Sequence, residues 1–254
     1  MGALVLAAWH PGAAAQAWKR EASIEASAIA STNGAGRPRG LEESDLLLSV
    51  MPGLRVERQA ADYSLNLRGS LELVGSTEGT RETKVLPRLE SQLRSTLVDR
   101  LLFFDAVGSV RQVEVDPFLG RGGAASGDNL RRTEFVQLSP YLQHEFTPRI
   151  TFNARLDETY TSVENDSTAN VRVHAARASL EGRPEPLGFG LEVRRQDTRY
   201  VDIADSSWKL DSARASLQAK LFDELIVSLS VGRERTSAQI AERTDDIRGF
   251  GLNW

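Results

Sequence analysis

Tyr63-Ser64-Leu65-Asn66-Leu67-Arg68-Gly69-Ser70-Leu71-Glu72-Leu73 decides how the rest of the chain is read. Tyr63, Leu65, Leu67, Gly69, Leu71 and Leu73 are apolar or glycine, whereas Ser64, Asn66, Arg68, Ser70 and Glu72 between them are polar. Successive side chains of a β-strand point to opposite faces, so this alternation writes one apolar and one polar face. A helix would scatter both sets around its axis. The same period recurs at Ile150, Phe152, Ala154, Leu156 and Tyr160 against Thr151, Asn153, Arg155, Asp157 and Thr159. It also puts Leu46, Leu48, Val50, Leu54 and Val56 on one face of an earlier segment, and Ala213, Ala215, Leu217, Ala219 and Leu221 on one face of a later one.

Followed along the chain, the pattern predicts about twelve strands, over 18–31, 45–59, 62–74, 84–98, 101–115, 131–146, 149–163, 170–182, 188–201, 207–222, 225–238 and 245–254. Tight turns are expected near Ala60-Ala61, Asp99-Arg100, Thr147-Pro148-Arg149, 184–187 and Asp223-Glu224, and long connections at 32–44, 75–83, 116–130, 164–169, 202–206 and 239–244. Short and long connections alternate, so with a periplasmic N-terminus every long loop falls outside the cell. Soluble strands average about 5–6 residues, and a soluble sandwich has no reason to sort its loops by length. The expectation is an all-β, antiparallel, transmembrane up-and-down β-barrel of the outer membrane, with outer-membrane lipid and the barrel-assembly machinery as its partners.

Composition fits. The chain is 41% hydrophobic and 26% charged, with no apolar run near the length a membrane-spanning helix needs, roughly 18–20 residues. It has no cysteine, which removes disulfide frameworks and thiolate metal sites. Its 31 basic and 35 acidic residues are well mixed, giving a net charge of -4 and no basic block for nucleic acid. Residues 1–17 read as a signal peptide lacking its basic n-region: Leu4-Val5-Leu6-Ala7-Ala8-Trp9 is a short apolar core, and Ala15-Gln16-Ala17 fits the small-x-small cleavage rule. The barrel then occupies 18–254. Aromatic residues make up only 7%, yet Trp18, Phe146, Phe222 and Trp254 fall near predicted periplasmic ends, where amphipathic rings suit the headgroup level.

The polar face holds Arg55, Glu57, Arg68, Glu72, Arg88, Glu90, Arg94, Asp105, Arg111, Arg155, Asp157, Glu192 and Arg194 as lumen-lining candidates. Both signs are interleaved, so pairing between neighbouring strands predicts a structural lining. A selective filter would gather one sign into a ring. Tyr141 or Tyr160 in a sugar-binding ladder is the alternative to simple anchoring. Nothing assembles into catalytic, cofactor-binding or metal-binding machinery. His10 leaves with the signal, and His144 and His174 fall on different strands without a carboxylate motif. Ser206-Ser207-Trp208-Lys209 lacks companion motifs, and the loop from Asp116 to Asn129 lacks the pattern of a calcium or phosphate loop. A non-enzyme without cofactor is expected.

Several short patterns occur in order: Thr32-Asn33, Ser44-Asp45, Val50-Met51-Pro52-Gly53, Asp62-Tyr63-Ser64-Leu65, Pro140-Tyr141, Val231-Gly232-Arg233-Glu234 and Gly249-Phe250-Gly251-Leu252-Asn253-Trp254. As a set they resemble the PEP-CTERM system-associated outer-membrane protein family of Gram-negative bacteria. That resemblance implies a barrel encoded with exosortase and exopolysaccharide loci, and a role beside an exopolysaccharide or its export components, without an established biochemical activity. Members usually continue past the segment matching 249–254, so the resemblance implies a larger barrel cut short. Alternatively Phe250, Leu252 and Trp254 form the C-terminal strand that assembly machinery recognises. Two other functions compete: a general diffusion porin or passive channel, and an outer-membrane enzyme such as a lipase or protease, for which a Ser/His or Asp/His constellation is missing.

Overall fold

In the computed structural model the alternating segments form strands, and each strand pairs with its neighbour in sequence. The structure describes residues 18–32, 44–79, 83–114, 130–203, 206–222, 225–238 and 241–253. The expected signal segment 1–17, the loops 33–43 and 115–129, the Asp223-Glu224 turn and Trp254 lie outside the described residues. The strands are β1 (Lys19–Ser31), β2 (Asp45–Gln59), β3 (Tyr63–Ser76), β4 (Lys84–Val98), β5 (Leu102–Glu114), β6 (Leu130–Thr147), β7 (Ile150–Val163), β8 (Val171–Gly182), β9 (Leu187–Tyr200), β10 (Ser207–Phe222), β11 (Leu225–Ala238) and β12 (Ala241–Asn253). They make one twelve-stranded sheet in the order β1 to β12, an all-β up-and-down meander. Its printed ladders are antiparallel throughout.

The turns are closed by local chemistry. Ala60 N–H donates to the Tyr63 carbonyl at 2.8 Å, and Leu101 N–H to the Val98 carbonyl at 3.1 Å. Beside the latter, Arg100 takes a left-handed conformation, φ 57°. The Thr147 hydroxyl accepts from the backbone N–H groups of Arg149 and Ile150 across Pro148, at 3.3 and 3.1 Å.

The chain divides into two compact units. Over its described residues, the first takes in β1, β2, β3, the start of β4 and the parts of β5, β6 and β7 nearest the 115–129 and 164–166 connections. Register there sets Leu54 against Gly69, Val56 against Leu67 and Val50 against Leu73, so that face of β2 and β3 is apolar over this stretch, until Arg58 opposite Leu65. The second contains the remainder of β4 to β7 together with β8 to β12. In it Phe152, Leu180, Leu191, Ala215 and Val231 are successive register partners, and so are Ile150, Gly182, Phe189, Leu217 and Leu229.

Burial is inverted relative to a protein that hides its apolar side chains. Among the described residues Leu47 is the one buried large hydrophobic, at 2% exposure; Asp45, Ser139 and Thr198 are the buried polar residues, and Gly182 and Gly188 are buried as well. The four side chains of Leu47, Asp45, Ser139 and Thr198 alternate with the apolar face, whereas buried Gly182 lies on it beside its register partner Phe189. Leu217 is 67% exposed and Phe250 66%, and Leu156, Leu191, Val193 and Val231 are exposed with them.

One connection departs from expectation. β12 begins at Ala241, which pairs with Ala238, so the predicted 239–244 loop is a two-residue link and the strand placed at 245–254 starts four residues earlier. The expected alternation of short and long connections therefore fails at β11–β12. The cause is chemical: Glu242, Arg243, Thr244, Asp245 and Asp246 are polar on both faces, which erases the period-two signal without preventing ladder hydrogen bonds. Smaller shifts extend β3 to Ser76 and start β9 at Leu187.

Candidate functional site

The lumen-lining candidates lie on the polar face, and most pair. In the first unit Arg55 bonds Glu57 two residues along, Nε to Oε1 at 2.8 Å. Arg88 Nη2 meets Glu72 Oε2 at 2.8 Å, and Arg111 Nη2 meets Glu90 Oε1 at 3.0 Å, both between strands. Arg68 faces Arg55 across the β2–β3 ladder and makes no ion pair among the described residues. The Arg88, Arg111 and Glu90 side chains are each more than half exposed, so these pairs add little to stability.

The same unit holds Asp45 at the start of β2. Its carboxylate accepts from the Ser76 hydroxyl, from the Thr77 hydroxyl at 3.3 Å and from Glu78 N–H at 3.1 Å. A buried carboxylate requires such donors, and here they fix the exit of β3.

In the second unit the candidates converge on a denser cluster. Arg155 on β7 donates from Nε to Asp157 Oδ1 at 2.8 Å and from Nη1 to Asp105 Oδ2 on β5 at 3.4 Å. Arg94 Nε lies 3.5 Å from the other oxygen of Asp105. The Asp157 carboxylate also accepts from the Ser139 hydroxyl at 2.5 Å and from Gln137 Nε2 at 3.3 Å. The Arg155 guanidinium carbon stands 5.2 Å from the centre of the Tyr141 ring, and that ring stacks on Phe103 with centroids 5.0 Å apart. Two carboxylates, two guanidinium groups and a stacked aromatic pair thus meet in one cluster, in which Asp105 Oδ1 is buried and has the Arg94 charge nearby but no hydrogen bond. Nothing in the arrangement poises a nucleophile or a general base.

Sequence reasoning found Arg94, Asp105, Arg155 and Asp157 but missed Gln137, Ser139 and Phe103 as their partners. Strand parity places Gln137, Ser139 and Tyr141 on the polar face of β6; their contacts follow from tertiary placement. Further along the face, Arg155, Arg177 and Arg194 are successive register partners, and Arg194 Nη2 donates to Gln196 at 2.6 Å. His174 contacts Glu158 on the opposite, exposed face, and His144 packs edge-on against Phe146. Among the described residues no group of three or more His, Asp or Glu side chains is placed to hold a metal ion.

The exposed face of the second unit changes character along a line. On β7 it is apolar through Leu156 and charged at Glu158; on β12 it is apolar back to Phe250 and charged from Arg248. Between them the change falls at His174/Ala176, Val193/Arg195, Asp211/Ala213 and Val231/Arg233. Traced through the register, Asp157 leads to Ala175, Gln196, Leu210, Thr236 and Arg243, yet the border on β12 lies at Gly249, six residues lower after five strand steps. At roughly 3.3 Å per residue and 4.8 Å per strand, the border is inclined at about 40° to the ladder rungs. Ion pairs populate its charged side: Arg172–Glu158 at 3.8 Å, Arg195–Asp211 at 3.7 Å, Arg199–Asp197 at 2.8 Å, Arg233–Asp246 at 3.3 Å and Arg235–Glu242 at 2.8 Å.

No protein-family model matches the sequence, and no curated protein matches it. Several solved structures are similar in fold. A loop L8 deletion mutant of OmpT, an outer membrane protein of Vibrio cholerae, is 11% identical at a TM-score of 0.40, covering 94% of this chain and 88% of that one. The CymD monoaromatic hydrocarbon channel is 8% identical at 0.36, covering 99% and 80%. An outer membrane channel from Pseudomonas putida F1 is 14% identical at 0.34, covering 95% and 94%. At these scores the matches carry no further weight.

Proposed function

We propose that this chain is a non-catalytic β-barrel of the Gram-negative outer membrane, serving the export, anchoring or surface organisation of an exopolysaccharide. One observation carries the membrane part: an exposed apolar face that ends along a straight border about 40° from the ladder rungs, the angle expected where strands tilted about 35–45° leave a bilayer. On β10 the apolar run from Ala213 to Leu221 is about 20 Å tall at that tilt, close to the roughly 25 Å apolar band of such barrels. In water the same face would leave large apolar side chains uncovered around a buried set that is mostly polar.

The polymer part is supported by the ordered motifs of the sequence, from Thr32-Asn33 to Gly249–Trp254. Heat-modifiable migration of the protein in purified outer membranes tests the barrel, because closed strand bonding resists detergent until heated. Protein that is soluble and migrates identically with and without boiling refutes it. Deletion tests the polymer role: secreted or surface-bound polymer should change, and unchanged polymer counts against it.

A passive channel is the second reading. It is favoured by the exposure of Arg88, Glu90, Arg94 and Arg111, charged groups that remain accessible on the polar face. Steady conductance of the refolded protein in planar bilayers supports it, and silent bilayers oppose it.

A further inference from the structure

On the polar face of the second unit, at the turn end of β8 to β10, lies a hollow of about 320 Å³. The side chains that reach it share the polar-face parity: Ser179 and Glu181 on β8, Glu192 on β9, and Arg214, Ser216 and Gln218 on β10. Phe189 and Leu191, of the opposite parity, border it with their main chain. Gly190 leaves its floor bare, since a Cβ there would come 2.5 Å from Ser216 Oγ. One end is closed by the chain leaving β8, which passes so near Gly188 that a Cβ would strike the Gly182 carbonyl oxygen.

The rung beyond the hollow sets Arg177 against Arg194, and Arg155 continues it on β7. Like charges directly opposite each other destabilise a sheet. Arg155 is offset by Asp157 and Asp105. Arg177 is not: among the described residues its side chain makes no hydrogen bond or ion pair, and Arg194 has only the neutral Gln196 amide, at 2.6 Å. Arg214 faces Glu192 in register, yet no ion pair joins them. All three arginines are exposed. The carboxylates of the hollow, Glu192 and Glu181, lie one and two rungs off on its turn side, so the Arg177–Arg194 rung keeps its charge.

We propose that this hollow binds an acidic sugar residue, its ring over Gly190 and its oxyanion, a carboxylate or a phosphate, held between Arg177 and Arg194. The inference rests on the exopolysaccharide reading above and deepens it by naming the class of polymer. Two facing guanidinium forks match the paired oxygens that either oxyanion presents, and an anion between them removes their repulsion. The groups of the hollow suit the rest of the ring. Sugar hydroxyls both donate and accept; Ser179, Ser216 and Gln218 do the same, Glu192 accepts and Arg214 donates. A bare inorganic ion would use the arginines and leave the hollow idle, whereas a neutral sugar would leave Arg177 and Arg194 opposed.

The full chain, refolded in mild detergent, is first checked for heat-modifiable migration. It is then titrated at low salt with glucuronate, with glucose phosphorylated on the same exocyclic carbon, and with glucose itself. Binding is read by saturation-transfer NMR, with inorganic phosphate as a competitor. The two acids should bind about tenfold or more tightly than glucose, the scale of a charge-assisted hydrogen bond. The tighter of them tells carboxylate from phosphate. The combined Arg177→Gln and Arg194→Gln variant should bring both down to the level of glucose. Ser179→Trp, which fills the hollow and leaves the arginines, should weaken all three sugars. Equal binding of glucose and the acids by the wild type overturns the site and needs no variant to fold. So does an unchanged preference in the double variant, and inorganic phosphate that competes as strongly as the sugar phosphate leaves an ion site without a sugar. A wild type without heat-modifiable migration removes the barrel and the site together, whereas migration without acid preference removes the site alone. Acid preference with secreted polymer unchanged on deletion removes the exopolysaccharide role and upholds the site.

Discussion

Leu217→Arg separates a lipid-facing sheet from a water-facing one. Leu217 is 67% exposed, lies between Phe189 and Leu229 in register, and is the centre of the apolar run Ala213–Leu221 on β10. In water, a substitution at so exposed a site typically changes stability by no more than about 0.5 kcal/mol. Against hydrocarbon, an arginine near the midplane of a barrel costs about 2–4 kcal/mol, roughly a 30- to 1000-fold loss in the folding equilibrium. At a 40° tilt each residue of β10 changes depth by about 2.5 Å, which puts Leu217 about 12 Å inside the border between Asp211 and Ala213. Ala213→Arg, just inside that border, should therefore cost only about 0–1 kcal/mol. Urea unfolding from phospholipid vesicles, followed by Trp fluorescence, measures both variants against the wild type at constant m. Equal costs at the two positions, or a Leu217→Arg cost within 0.5 kcal/mol, would refute the bilayer assignment and the border geometry together.

Three further outcomes are expected. Asp157→Ala removes the acceptor shared by Arg155, Ser139 and Gln137; allowing for the partial exposure of the cluster, it should cost about 1–2 kcal/mol in the same unfolding assay, and a wild-type midpoint would show that the cluster contributes no net stability. Asp45→Ala frees the turn after β3; amide exchange at Glu78 should quicken by about tenfold, and unchanged exchange would rule out the carboxylate as its anchor. Gly182→Val places a Cβ 2.5 Å from the Phe189 ring, its register partner on the exposed face; the displaced ring should cost about 1 kcal/mol, and a neutral or stabilising change would mean the ring does not rest on that glycine.

How much of this was legible in the sequence depended on whether the two faces of a strand differ. Where they do, as in Tyr63–Leu73 or Ala213–Leu221, a period of two fixes both the strand and the side each residue occupies, and the structure places those side chains accordingly. The polar-face candidates were found by that parity alone. Their partners were not, because parity says which face a side chain takes and nothing about which neighbour it meets: Ser139 and Gln137 reach Asp157, and Asp105 reaches Arg155 across an intervening strand, through contacts that no single strand's pattern records. The start of β12 was illegible for the opposite reason. From Glu242 to Asp246 both faces are polar, and the ladder with β11 forms without leaving a pattern. Those residues belong to the same charged zone as Arg195, Asp211, Arg233 and Arg235, so the loss of alternation near the loop end of β12 and the inclined border across β7 to β12 have one cause. Past that line the exposed face is charged, as it should be where a tilted strand rises out of hydrocarbon into the headgroup layer. Only the register, which aligns residues of six different strands, turns that local loss of pattern into an angle.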